Sequence, residues 1–148
     1  VTPVDTTARG QNETLTFEFE LPHPPDKVWR ALTDEVLLAE WLLPVTGLAL
    51  EPGTAFTFQA PPQPGWDGAV HCRVLQVEAQ RKLTYTWVVG DSAIDTLVSF
   101  TLTPTASGTL LSLVHSGFEA DQAQAFGGAR YGWTMMGGRL VDVLARTP

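Results

Sequence analysis

Between Thr14 and Leu21 the chain reads TLTFEFEL, in which Leu15, Phe17, Phe19 and Leu21 alternate with Thr and Glu. This period-two pattern predicts a strand with one buried face. It stops at PHPP. Asp26 follows the prolines and precedes KVWRAL, which predicts a helix from about Pro25 with Val28, Trp29 and Leu32 as its apolar stripe; a proline is tolerated in the first turn, where its missing N–H would have no partner. DEVLLAEWL predicts a second short helix, capped by Asp34 and ended by Pro44. Strand patterns then follow in quick succession: VTGLAL, TAFTFQA, AVHCRVLQVE, KLTYTWVV, DTLVSFTLTP and GTLLSLVHSGF, divided by the turn signals EPG, AQR, GD and TASG. With no helix between them, they predict an antiparallel meander. From about Asp121 to Arg146, Phe126, Ala129, Trp133, Met136, Leu140, Val143 and Leu144 recur at three- and four-residue steps, the stripe of a long amphipathic helix.

That last helix contains GGARYGWTMMGGRL, with glycine at 127, 128, 132, 137 and 138. Each interior glycine costs a helix roughly 0.5–1 kcal/mol relative to alanine. Gly128, Gly132 and Gly137 fall in one broad sector near Trp133 and Met136. Glycines there either leave volume for a ligand or for Trp133 beneath the helix, or let the helix press closely on a sheet. Gly132→Ala is expected to destabilise the fold by overpacking worth roughly 1–3 kcal/mol, as close approach to a sheet requires.

Composition narrows the class. The chain has 148 residues, 44% of them apolar and 17% charged, which suits one globular domain and excludes a disordered chain. The domain is expected over 14–148, behind a flexible arm at 1–13. No apolar run approaches the ~18 residues of a membrane span. Sixteen acids against nine bases give a net charge of −7, so nucleic acid is not an expected partner. The lone Cys72 has no cysteine to pair with, and the polar start VTPVDTTARGQNET lacks a secretory core. These features predict a cytoplasmic protein, with a homodimer left open.

The order strand, two short helices, six strands and a long helix resembles the START-like (helix-grip, SRPBCC) superfamily, and within it the bacterial proteins related to the activator of the Hsp90 ATPase. The resemblance rests on PHPPDKVWRALTDEVLLAEWL, VLQVEAQRKLTYTW, GTLLSLVHSGF and the Gly-Trp with spaced leucines of the last helix. It covers about residues 14 to 146 and implies an α+β fold, a curved antiparallel sheet of about seven strands gripping the last helix, with a cavity between them. One departure is EAQRKL, where Ala79 and Gln80 stand in place of the family's usual proline.

Alternation sets inward-facing residues: Phe56 and Phe58; Val70, Cys72 and Val74; Leu83, Tyr85 and Trp87; Val98, Phe100 and Leu102; Leu111, Leu113 and His115. His71 and Arg73 face the other way. A lining this apolar and aromatic suits a solid core or a pocket for a greasy molecule; the cavity implied by the resemblance favours the pocket. The expected ligand-facing set is Trp41, Phe58, Trp66, Tyr85, Trp87, Phe100, Leu113, His115, Trp133 and Met136. Trp41 precedes LLP, where the cavity rim should lie, and Trp66 sits in the loop APPQPGWDG as a potential lid. His115 is either a polar anchor or general base, or a core-edge histidine bonded to a neighbour.

No phosphate loop, dinucleotide fingerprint, zinc-protease motif or serine-hydrolase elbow occurs, and three histidines with one cysteine show no metal-ligand spacing. No catalytic residue, cofactor or metal is assigned. Three functions compete: binding of a hydrophobic or aromatic small molecule, an enzyme resembling polyketide cyclases and aromatases that would lean on His115, Tyr85 or Cys72, and a chaperone-associated protein-interaction domain.

Overall fold

The computed structural model describes residues 4–8, 13–89 and 95–147. The elements run β1 (Val4–Asp5), β2 (Thr14–Leu21), α1 (Pro25–Thr33), α2 (Glu35–Trp41), β3 (Val45–Thr46), β4 (Ala55–Gln59), β5 (Ala69–Glu78), β6 (Lys82–Val89), β7 (Asp95–Thr105), β8 (Gly108–Ser116) and α3 (Ala123–Arg146). This is the α+β helix-grip fold, with α3 held by a curved antiparallel sheet. Among the described residues the sheet has eight strands in the order β1-β2-β8-β7-β6-β5-β4-β3. Helices α1 and α2 carry the chain from β2 to the far edge, and the meander returns until β8 pairs with β2.

Local chemistry sets the boundaries. Pro25 occupies the first turn of α1, and the Asp34 carboxylate accepts from the amides of Val36 and Leu37, capping α2. The strand expected over VTGLAL shortens to Val45–Thr46, because Gly47 takes a φ of +85° and turns the chain out of the ladder. The segment expected to be a loose arm contributes Val4 and Asp5, which pair with Glu18 and Phe17. Asp5 also holds Arg130 of α3, Oδ2 to Nε 2.9 Å. The rest of that arm, 1–3 and 9–12, and the GD turn at 90–91 lie outside the described residues.

Register stacks the inward residues into rows: Leu15, His115 and Val98; Phe17, Leu113, Phe100 and Leu83; Phe19, Leu111 and Leu102. All are buried, as are Phe56, Phe58, Val70, Cys72, Val74, Tyr85 and Trp87, while His71 and Arg73 are exposed. Burial of such side chains stabilises by roughly 1.5–3 kcal/mol each. A register shift between Val74 and Gln76 inserts one residue in β5, so Leu75 and Gln76 both stand exposed and Val77, outward by strict alternation, takes the inward place opposite Leu83. The Ala79–Gln80 turn is tight, with Gln80 at φ 63° and the Arg81 amide donating to the Glu78 carbonyl.

Candidate functional site

A cavity of about 340 Å³ lies between α3 and one end of the sheet. The sheet contributes Val70, Trp87, Val89 and His115, and Leu43, Trp66 and Phe118 close it from the connecting segments. From α3 come Ala125, Gly128, Ala129, Gly132, Trp133 and Met136. Their spacing of three and four residues places all six on one stripe of the helix, and four of the six are alanine or glycine.

The small residues create this volume rather than close contact. A Cβ built on Gly128 meets nothing within 4 Å, and one on Gly132 meets only the Cε of Met136 at 3.5 Å, an ordinary contact with a flexible side-chain end. Neither glycine lets the backbone approach the sheet, which removes close approach as the reason for them.

His115 is 1% exposed and both ring nitrogens are engaged. The indole Nε1–H of Trp133, a donor only, gives its proton to Nδ1 at 2.9 Å. His115 is therefore neutral at Nδ1 and carries its proton on Nε2, which donates to Thr96 Oγ1 at 2.7 Å. The Thr96 hydroxyl in turn donates to the Trp87 carbonyl at 2.7 Å. This chain ties α3 to β6, β7 and β8 with every donor matched. Burial drives the pKa of His115 down to about 3. The imidazole forms a neutral wall of the cavity, with its acceptor nitrogen occupied by the Trp133 indole. Burial also pushes the Cys72 thiol and the Tyr85 phenol up, the latter helped by Cys72, and neither side chain reaches the cavity wall.

Trp66 sits in a loop that is tied down rather than poised to move. Gln63 and Trp66 exchange backbone hydrogen bonds at 2.9 Å. The Gln59 side chain donates to the carbonyls of Ala60 and Asp67, and the Trp66 indole donates to the Ala69 carbonyl at 2.9 Å. Gly68, at φ +87°, passes so close to the Ala60 carbonyl that a Cβ would collide with it.

The sequence profile of the Activator of Hsp90 ATPase homolog 1-like proteins matches residues 22–145. The chain belongs to this family. No curated protein matches it. Among solved structures, protein MLL2253 from Mesorhizobium loti is 39% identical over 91% of this chain and 98% of its own, with a TM-score of 0.83. CalU16 from Micromonospora echinospora, solved by solution NMR, is 25% identical over 97% of this chain and 72% of its own, TM-score 0.75. DynU16, encoded in the dynemicin biosynthetic locus, is 24% identical over 92% of this chain and 48% of its own, TM-score 0.76, a likeness of fold.

In this Activator of Hsp90 ATPase homolog 1-like chain, Trp66, Trp87, His115, Trp133 and Met136, five of the ten residues expected to face a ligand, lie in the cavity wall. Trp41, Phe58, Tyr85, Phe100 and Leu113 do not; they fill the solid part of the core. Trp41 packs edge-on to Phe100 and donates its indole proton to the Ala31 carbonyl at 2.8 Å, so it is a packing residue and Leu43 stands at the cavity in its place. Phe58 and Phe100 flank Tyr85, with ring centroids 6.1 and 6.2 Å away. Leu43, Val89, Phe118, Ala125 and Ala129 were not expected at the site. The two alanines had a signal, their place on the stripe of Gly128 and Gly132. Among the described residues no group of His, Cys, Asp or Glu could hold a metal ion, and no helix is long and apolar enough to cross a membrane.

Proposed function

We propose that the chain binds a hydrophobic, aromatic small molecule between the sheet and α3. One observation carries this reading: a cavity of about 340 Å³ walled by Trp66, Trp87, Trp133 and Phe118 and bordered by glycines that nothing presses against. Close-packed interiors hold few voids larger than a water molecule, and ligand pockets of ~300–1,000 Å³ are the usual setting for apolar burial with few polar contacts. A helix that gives up roughly 1 kcal/mol at each glycine for space is better explained by a ligand than by folding.

Binding is favoured over acid–base catalysis because both nitrogens of the imidazole at the wall are bonded within the protein rather than turned to the cavity. Titration with N-phenyl-1-naphthylamine, an uncharged aromatic probe, tests the reading. Tryptophan emission should change on binding, and the change should shrink in Trp87→Phe and in Trp133→Phe. Calorimetric binding that leaves both contributions untouched would refute the site.

A further inference from the structure

We propose that this cavity selects its ligand by charge: it admits uncharged molecules and rejects anions. The inference rests on the binding reading above and adds the chemical class of the ligand. Among the described residues, no side chain of the wall carries a charge. Its hydrogen-bonding capacity is nearly spent. The Trp66 indole is bonded to the Ala69 carbonyl, the Trp133 indole to His115, and the second nitrogen of His115 to Thr96. The cation nearest in sequence to the lining, Arg130 beside Ala129, is committed elsewhere. Its Nε lies 2.9 Å from Asp5 and its guanidinium stands 5.4 Å over the Phe126 ring.

A carboxylate, sulfonate or phosphate entering this volume would leave water without a countercharge or a set of donors to replace it. Burying an unpaired ion carries a desolvation penalty that hydrophobic contact does not offset. The net charge of −7 acts in the same direction outside the cavity, repelling anions before they arrive. An uncharged aromatic meets neither obstacle, since indole and phenyl faces replace its water shell with dispersion contacts.

The test displaces N-phenyl-1-naphthylamine from the wild-type protein with two competitors of matched shape, 8-anilinonaphthalene-1-sulfonate and the corresponding uncharged sulfonamide. The sulfonamide should compete at least ~100-fold better than the sulfonate, on the scale expected of an uncompensated buried ion. Met136→Lys, which sets an ammonium group in the wall, should then improve the sulfonate by tenfold or more and leave the sulfonamide unimproved. Displacement by the two competitors within tenfold of each other would overturn charge selection while leaving the binding reading intact. Failure of the variant to improve the sulfonate, with its fold verified by circular dichroism, would also overturn it. If N-phenyl-1-naphthylamine itself does not bind, the binding reading falls and charge selection with it.

Discussion

Replacing Gly132 with alanine tests what the glycines are for. In the interior of α3 an alanine is worth roughly 0.8–1 kcal/mol over glycine, because it restricts the unfolded chain without straining helical backbone. Close packing against the sheet would reverse that sign by overpacking worth roughly 1–3 kcal/mol. The geometry decides between them: the new methyl would meet only the Met136 Cε, at 3.5 Å, within ordinary van der Waals range and at the free end of a flexible chain. Gly132→Ala should therefore stabilise the protein by about 0.5–1 kcal/mol, the opposite of what close approach predicts. Urea melts at constant m-value measure this directly, with a rise in Tm of about 2–4 °C per kcal/mol as the thermal counterpart. A loss of stability would mean instead that something presses on the helix at 132.

Two further predictions follow from the same site. His115 is held neutral with its pKa lowered to about 3, whereas the unfolded chain binds the proton near its ordinary value of 6.5. Stability should therefore fall as pH drops below about 6.5, by about 1.4 kcal/mol per unit and about 2 kcal/mol by pH 5, levelling off only near pH 3; the slope between pH 6.5 and 5 in urea melts should flatten in His115→Gln, and an unchanged slope would mean that the buried imidazole is not its source. Gly68→Ala should destabilise by roughly 1–3 kcal/mol, because the left-handed backbone and the Ala60 carbonyl both oppose a side chain, and should weaken probe binding by shifting Trp66; a variant as stable as the wild type would show that the loop relaxes freely.

Much of the fold was legible because alternation and helical spacing record which face of an element is buried. The rows through Phe17, Leu113 and Phe100, the Asp34 cap and the extent of α3 all follow from that record. Alternation cannot report how much space remains once the buried side chains have met. Phe58, Tyr85, Phe100 and Leu113 alternate as Trp87 and His115 do, yet they close on one another while the latter two border a void. Trp41 was misplaced for a related reason. Its position before LLP marks the end of α2, but the backbone carbonyl that takes its indole proton belongs to α1, a tertiary contact without local signature. The short pairing of Val4 and Asp5 with β2 likewise depends on a strand further along the chain, and Val77 turns inward because of a bulge that no turn residue announces.

The proposed ligand site lies under α3, in space that Gly128 and Gly132 leave open. Intermolecular nuclear Overhauser effects between N-phenyl-1-naphthylamine and the labelled protein test it most directly. Contacts are expected from the probe to the Met136 methyl, the Gly128 α-protons and the Trp87 ring, with their loss in Gly132→Leu, whose side chain would occupy the same volume. Contacts confined to exposed apolar residues such as Tyr131 and Leu50, or contacts undiminished in Gly132→Leu, would contradict it.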